Sequence, residues 1–225
     1  MKKFYARPPL TLILLLPLLL LSCANSSNHN LEKTENIASE RYGSEAEILI
    51  QKWRLLLKDL EGSSELRQLT RVNQFFNDNI TFIDDYFIWQ KKDYWATPLE
   101  TMGRAQGDCE DFTIAKYSSL LMLGIPTEKM RLTYVKAQIR TINSSRSQAH
   151  MVLAYYPQAN ADPWILDNLI HDINPASKRS DLTPVYSFNS SGLWLGNQTK
   201  PADTKPEARL SRWRDLLLRM KQEGM

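Results

Sequence analysis

Residues 112–123 carry apolar and small side chains at helical spacing, and Lys116 is the single charge among them. Phe112, Ala115, Ser119 and Met122 fall along one face, and Ile114, Tyr117 and Leu121 cover another, so the predicted helix has to be enclosed on most sides. Gly124 and Pro126 stop it. An enclosed helix constrains the fold more than any other feature here, because the remaining elements must be layered around it. Its start is the run Gly107-Asp108-Cys109-Glu110-Asp111-Phe112. A thiol at the positive end of a helix dipole is favoured as thiolate, whereas three adjacent carboxylates disfavour a second anion unless a cation neutralises them. Calcium, a hard cation that takes carboxylate oxygens, would resolve that conflict. The plain structural alternative is that Cys109 is a small buried hydrophobe and the acids merely favour the helix start.

The chain order supports one α+β domain. A helix is predicted from Ser44 to about Leu60, with Ile48, Trp53, Leu56, Leu57 and Leu60 inward, and a second from Ser64 through Val72, Phe75 and Phe76 toward Asn79. Residues 80–104 are aromatic and irregular and read as a covering loop or a cleft lining. After the central helix the period changes to two. Residues 130–139 and 148–156 read as strands joined by a polar hairpin loop, and 164–170 as a third, forming an antiparallel sheet packed on the helix. Residues 175–196 read as loop-rich, and Leu210 to Met220 as a closing amphipathic helix.

The 225 residues, 43% of them hydrophobic, suffice for one well-buried core. The formal charge of +3 is supplied by Lys2, Lys3 and Arg7; without them basic and acidic residues balance, so there is no electrostatic case for nucleic-acid binding. Those three residues precede an apolar run, 10–21, too short for a comfortable membrane span and shaped like an export signal. Leu20-Leu21-Ser22-Cys23 fits a lipoprotein box, with Cys23 lipidated as the first mature residue; Ser22-Cys23-Ala24 fits ordinary cleavage after Ala24. Residues 1–22 are thus expected to be a signal peptide, 23–43 a polar tether, and 44–225 the domain. Either route exports the chain and leaves Cys109 as a lone unpaired cysteine, which argues that it is kept for reactivity.

A cysteine nucleophile needs an imidazole in reach and a third group to orient it. His150, in the second strand, is the only histidine inside the core pattern, since His29 precedes the domain and His171 follows the third strand. Asp167 shares a face with Ile165 and Leu169 in the third strand, and a carboxylate among apolar neighbours needs a partner. Asp162 and Asp172 are the other candidates for third member, in turn contexts that suit capping.

The blocks around Cys109, together with Ala149-His150-Met151-Val152-Leu153, Leu166-Asp167-Asn168 and Pro184-Val185-Tyr186-Ser187-Phe188-Asn189, resemble the bacterial transglutaminase-like cysteine peptidases of the LapG type. The resemblance covers roughly residues 44–220. It implies a papain-like transglutaminase core and a periplasmic protease with Cys109, His150 and Asp167 as triad. It further implies calcium dependence, with Asp108, Glu110 and Asp111 as ligands. Its implied substrate is the N-terminal region of a large surface adhesin, cut at paired alanines to release biofilm. Its implied partner is the periplasmic domain of an inner-membrane cyclic di-GMP receptor. The residues themselves also admit a transglutaminase, a peptidoglycan amidase or endopeptidase, and a non-catalytic binding scaffold.

Overall fold

The computed structural model describes residues 20–140, 144–196 and 198–225. Most of the segment read as a signal peptide, residues 1–19, lies outside the described residues. No helix among those described is long and apolar enough to cross a membrane.

Helix α1 (Leu20–Tyr42) continues through Gly43, at φ 88, into α2 (Ser44–Leu60). The stretch expected as a polar tether is therefore helical. Its sequence hides this because few positions face inward: Thr34 and Ala38 are fully buried, while Glu35 and Arg41 make polar ties. Thr34 Oγ1 donates to the Glu223 carbonyl at 3.2 Å, and Arg41 pairs with the Glu223 carboxylate at 3.0 Å. In α2 the inward set is Ala46, Leu49, Ile50, Trp53, Leu56, Leu57 and Leu60; Ile48, expected inward, is half exposed. Helix α3 (Glu65–Asn79) is capped by Ser64, whose hydroxyl accepts from the Arg67 N–H, and buries Leu69, Val72 and Phe76.

The aromatic stretch is more regular than expected. It holds β1 (Thr81–Phe82), α4 (Asp85–Trp89) and α5 (Pro98–Arg104), the last opened by a Thr97–Glu100 capping box. Strand β2 (Gln106–Gly107) pairs in parallel with β1, and the Ile83 N–H donates to the Gly107 carbonyl at 3.0 Å. That short ladder holds the residue pair leading into α6 (Cys109–Met122).

Helix α6 is buried from Glu110 through Leu120, which matches its all-round apolar character. Ser119, on the α2 side, accepts a hydrogen bond from Trp53 Nε1 at 2.8 Å. Gly124, at φ 88, ends the helix in a conformation that a side chain would strain. Strands β3 (Met130–Arg140) and β4 (Ser145–Tyr155) form a long antiparallel hairpin, with Met130 opposite Tyr155 and Val135 opposite His150. Strands β5 (Trp164–Leu166), β6 (Asn174–Pro175), β7 (Leu182–Phe188) and β8 (Leu193–Leu195) complete a sheet of order β6-β5-β4-β3-β7-β8, antiparallel throughout. Met151, Leu153 and Tyr155 of β4 join the main core with α6, while Val152 and Ala154 pack with Val135 and Ile165 on the other face.

Strand β7 lies in the stretch expected to be loop. Pro184, which reads against a central strand, sits where the register shifts between Tyr134 and Val135 of β3, a bulge that tolerates a missing donor. The third strand ends earlier than expected: the Leu169 N–H donates to Asp167 Oδ1 at 3.0 Å, a turn in which the side chain replaces the ladder. Helices α7 (Pro206–Arg209) and α8 (Ser211–Glu223) close the chain, with Trp213 and Leu216 buried.

Candidate active site

Asp108 caps α6 by accepting the Glu110 N–H at 3.2 Å, and Asp111 reaches back to accept the Asp108 N–H at 3.3 Å. This reciprocal arrangement leaves Cys109 as the first helical residue. Asp111 also accepts the Ala96 N–H at 2.8 Å, which ties the aromatic stretch to the helix start. Gly107 is needed for this closeness, since a Cβ there would lie 2.8 Å from Asp111 Cβ and 2.9 Å from its Oδ2.

The helix start meets β4 one residue beyond the histidine. Thr113 Oγ1 donates to the Cys109 carbonyl at 2.8 Å and to the Met151 carbonyl at 3.1 Å, and the Met151 N–H faces the Cys109 sulfur. His150 is buried, with Nε2 2.8 Å from Asp167 Oδ1. Of the three aspartates weighed as partner, Asp167 is the one that meets the imidazole. Asp162 instead accepts from Ser177, and the Asp172 carbonyl accepts from Asn174. Burial alone would raise the Asp167 carboxyl. The His150 hydrogen bond and charge, the Leu169 N–H and Arg179 outweigh it and hold the group down to about 2. With Nε2 committed to Asp167, Nδ1 is the nitrogen left for a thiol.

The acids next to the cysteine divide into two overlapping groups, Asp108–Cys109–Glu110 and Asp85–Asp108–Asp111, whose ligand atoms lie within 4.8 Å of one another in each group. The three acids singled out in the sequence thus come together at the helix start, but Glu110 turns to the sulfur, where Cys109 Sγ donates to its Oε2 at 2.8 Å. Asp85 joins Asp108 and Asp111 from the start of α4. The sequence reading missed it; the one available signal was an Asp84-Asp85 doublet in an otherwise aromatic stretch. Asp84 caps α4 and leaves Asp85 to point inward.

Over residues 56–191 the chain matches the family described as bacterial transglutaminase-like cysteine proteinase, BTLCP. It belongs to that family. It is also similar to solved structures of LapG from Legionella pneumophila. The EGTA-treated form is 37% identical with a TM-score of 0.72, and the likeness covers 84% of this chain and 97% of that one. The calcium-bound form is 37% identical with a TM-score of 0.71, covering 84% of this chain and 98% of that one. No curated protein matches the chain.

In this transglutaminase-like cysteine proteinase burial and like charge raise the acids and the thiol at the helix start. Desolvation, then Glu110 and Asp108, push the Cys109 thiol well above its ordinary value. Desolvation with Glu110, Asp111 and Asp85 pushes Asp108 up to about 10, and desolvation with Glu110, Asp93 and Asp84 pushes Asp85 up to about 6, despite the Tyr94 N–H on its Oδ2. Asp111 is raised as well, with desolvation and Asp85 overcoming two backbone donors. Asp85 Oδ1 is buried with no partner. Such a group of carboxylates takes up either protons or a cation. Tyr134 and Tyr186 stack at 5.2 Å near Glu110 and form an aromatic wall close to the thiol.

Proposed function

We propose that this chain is a calcium-dependent periplasmic cysteine protease that cleaves the N-terminal region of a large surface adhesin at a paired-alanine site, thereby releasing biofilm. The observation that carries the reading is the junction of α6 with β4, where the first residue of a buried helix is a cysteine set against the residue after a histidine that is itself bonded to Asp167. The substrate, and restraint by the periplasmic domain of an inner-membrane cyclic di-GMP receptor, are what the resemblance of the sequence blocks implies. Export on residues 1–22 accounts for the compartment, and lipidation of Cys23 would attach the enzyme to a membrane.

Cys109, His150 and Asp167 then act as a triad. His150 takes the thiol proton, and Sγ forms a bond to the scissile carbonyl carbon. The charge that develops on the carbonyl oxygen is met by the Cys109 N–H, one of the donors that a helix start leaves free. His150 returns the proton to the leaving amine as the C–N bond breaks, giving a thioester. It next draws a proton from water, whose oxygen attacks the thioester and frees the acid product and the thiol. Asp167 keeps the imidazole in one tautomer throughout.

The acidic group fits a hard dication, because it combines an unpartnered buried oxygen on Asp85 with carboxylates that push one another toward protonation. Asp108, Glu110 and Asp111, joined by Asp85, would hold calcium, which when bound supplies positive charge that offsets the acids beside the thiol.

The test mixes the protein with an N-terminal adhesin fragment in calcium or in excess EGTA, alongside Cys109→Ala. Cleavage that requires both calcium and Cys109 is expected. Cleavage by Cys109→Ala would overturn the triad, and cleavage indifferent to EGTA would return the acids to a structural role. A labelled amine incorporated into the fragment would instead mark a transferase.

A further inference from the structure

The His150–Asp167 pair has a continuation that the chemistry above leaves unused. Asp167 Oδ1 serves His150 and the Leu169 N–H, while Oδ2 accepts Arg179 Nη2 at 2.7 Å. Arg179 lies in the connection between β6 and β7 with its side chain only 3% exposed. It is gripped in turn by Asp181, Nε to Oδ1 at 3.0 Å and Nη2 to Oδ2 at 2.8 Å. Asp181, Arg179, Asp167 and His150 therefore form one connected row.

Burying a guanidinium is costly, and Arg179 Nη1 is left without a partner. A tie serving only this turn would be complete with Asp181, which is partly exposed, and would not need the buried position. What burial adds is the second oxygen of Asp167. The terminal torsion of an aspartate is broad, so a carboxylate held by one oxygen can turn and offer either one. Held by both, it cannot.

Resting on the triad reading above, we propose that Arg179 is a positioning residue: by occupying Asp167 Oδ2 it fixes Oδ1 on His150 Nε2 and keeps Nδ1 toward the thiol. The charged and titratable groups around the pair are Arg179 and Asp181 from the β6–β7 connection and Lys116 from α6. Lys116 Nζ donates to Asn77 Oδ1 at 2.8 Å, and Asn77 Nδ2 donates to the Asp167 main-chain carbonyl at 2.9 Å, so the backbone of Asp167 is held separately from its carboxylate. Removing Arg179 frees the carboxylate to turn and leaves its charge less compensated, which favours the imidazolium.

The test compares the full chain with Arg179→Met and Arg179→Lys. Cleavage of the adhesin fragment gives kcat and KM across pH, and the low-field proton resonance of His150 Nε2–H reports the Asp167 bond without substrate. Arg179→Met should lower kcat by about 10- to 100-fold, the range for lost orienting partners, with KM little changed. The acid limb of kcat/KM should move to higher pH, and the resonance should broaden. Arg179→Lys should restore the limb and only part of kcat, because lysine lacks the fork. Wild-type kcat, acid limb and resonance in Arg179→Met would make Arg179 a structural tie and overturn the proposal. If that variant fails to fold, unchanged kcat and resonance in Arg179→Lys would overturn it. Failure of the wild type to cleave would count against the protease reading alone, since the resonance still decides the role of Arg179.

Discussion

Two buried polar groups flank the junction of α6 and β4, and they are built on opposite principles. The row Asp181–Arg179–Asp167–His150 sets a guanidinium between two carboxylates and finds its opposite charges within the chain. The group Asp85–Asp108–Glu110–Asp111 repeats one sign and leaves an oxygen unpartnered. The first has its charges balanced when the protein folds, with one guanidinium nitrogen left unpaired, whereas the second asks for charge from outside. A buried carboxylate is stable as an anion only where its neighbours are cations or donors, so the same residue type carries opposite consequences in the two groups.

The largest effect expected is at the thiol itself. Cys109→Ala should reduce cleavage to background while leaving the melting temperature near that of the parent, measured by product formation and thermal unfolding. Next is Asp167→Asn, which breaks the row. It should cost about 10²- to 10⁴-fold in kcat and destabilise the fold by up to about 3–5 kcal/mol, as loss of one buried ion partner does. Equal stability of Asp167→Asn and parent in urea titration would mean that the row is not an energetic unit.

The pH dependence of stability separates the two groups by sign. Asp167, depressed to about 2, stabilises the fold above its unfolded value of 3.8, and that contribution disappears as pH falls from there toward 2. Asp85 and Asp108 are raised, to about 6 and about 10, so their contribution is present below 3.8 and is lost as pH rises through those values. In EGTA, unfolding free energy should therefore fall between pH 5 and pH 8, and saturating calcium should flatten that decline and add about 2.7 kcal/mol at a hundredfold excess over Kd. A flat profile in EGTA would show that the acids are already neutralised by the chain. The smallest effect expected is that of Asp181→Asn, which leaves Arg179 on Asp167 and should shift the acid limb of kcat/KM less than Arg179→Met does.

The row was more legible in the sequence than the acidic group, for physical reasons. A histidine in strand register and an aspartate two residues beyond Ile165 announce themselves by being polar in an apolar pattern. Arg179 and Asp181 lie in turn-rich sequence, where charge is expected and carries no signal. Asp85 was hidden because its inward direction is set by the Asp84 cap and the Tyr94 N–H, contacts that no periodicity encodes. The same division runs through the fold. Helices α2, α3 and α6 and the β3–β4 hairpin follow apolar periods, so they could be read. Helix α1 could not, because its inward contacts are sparse, and β7 could not, because Pro184 at a bulge breaks the pattern of a central strand.

The hydrogen bond from Cys109 to Glu110 bears on how long the thiol survives in the presence of oxidants. Peroxides and disulfides react with thiolate, and Cys109 is the one free cysteine among the described side chains, so no neighbouring thiol there is placed to reverse sulfenic acid. By holding its sulfur protonated among acids until a cation arrives, the chain keeps its nucleophile slow toward oxidants while it is metal-free. Metal-free protein should accordingly retain titratable thiol in dilute peroxide longer than calcium-loaded protein, so the ion that readies the cysteine for work also starts its ageing.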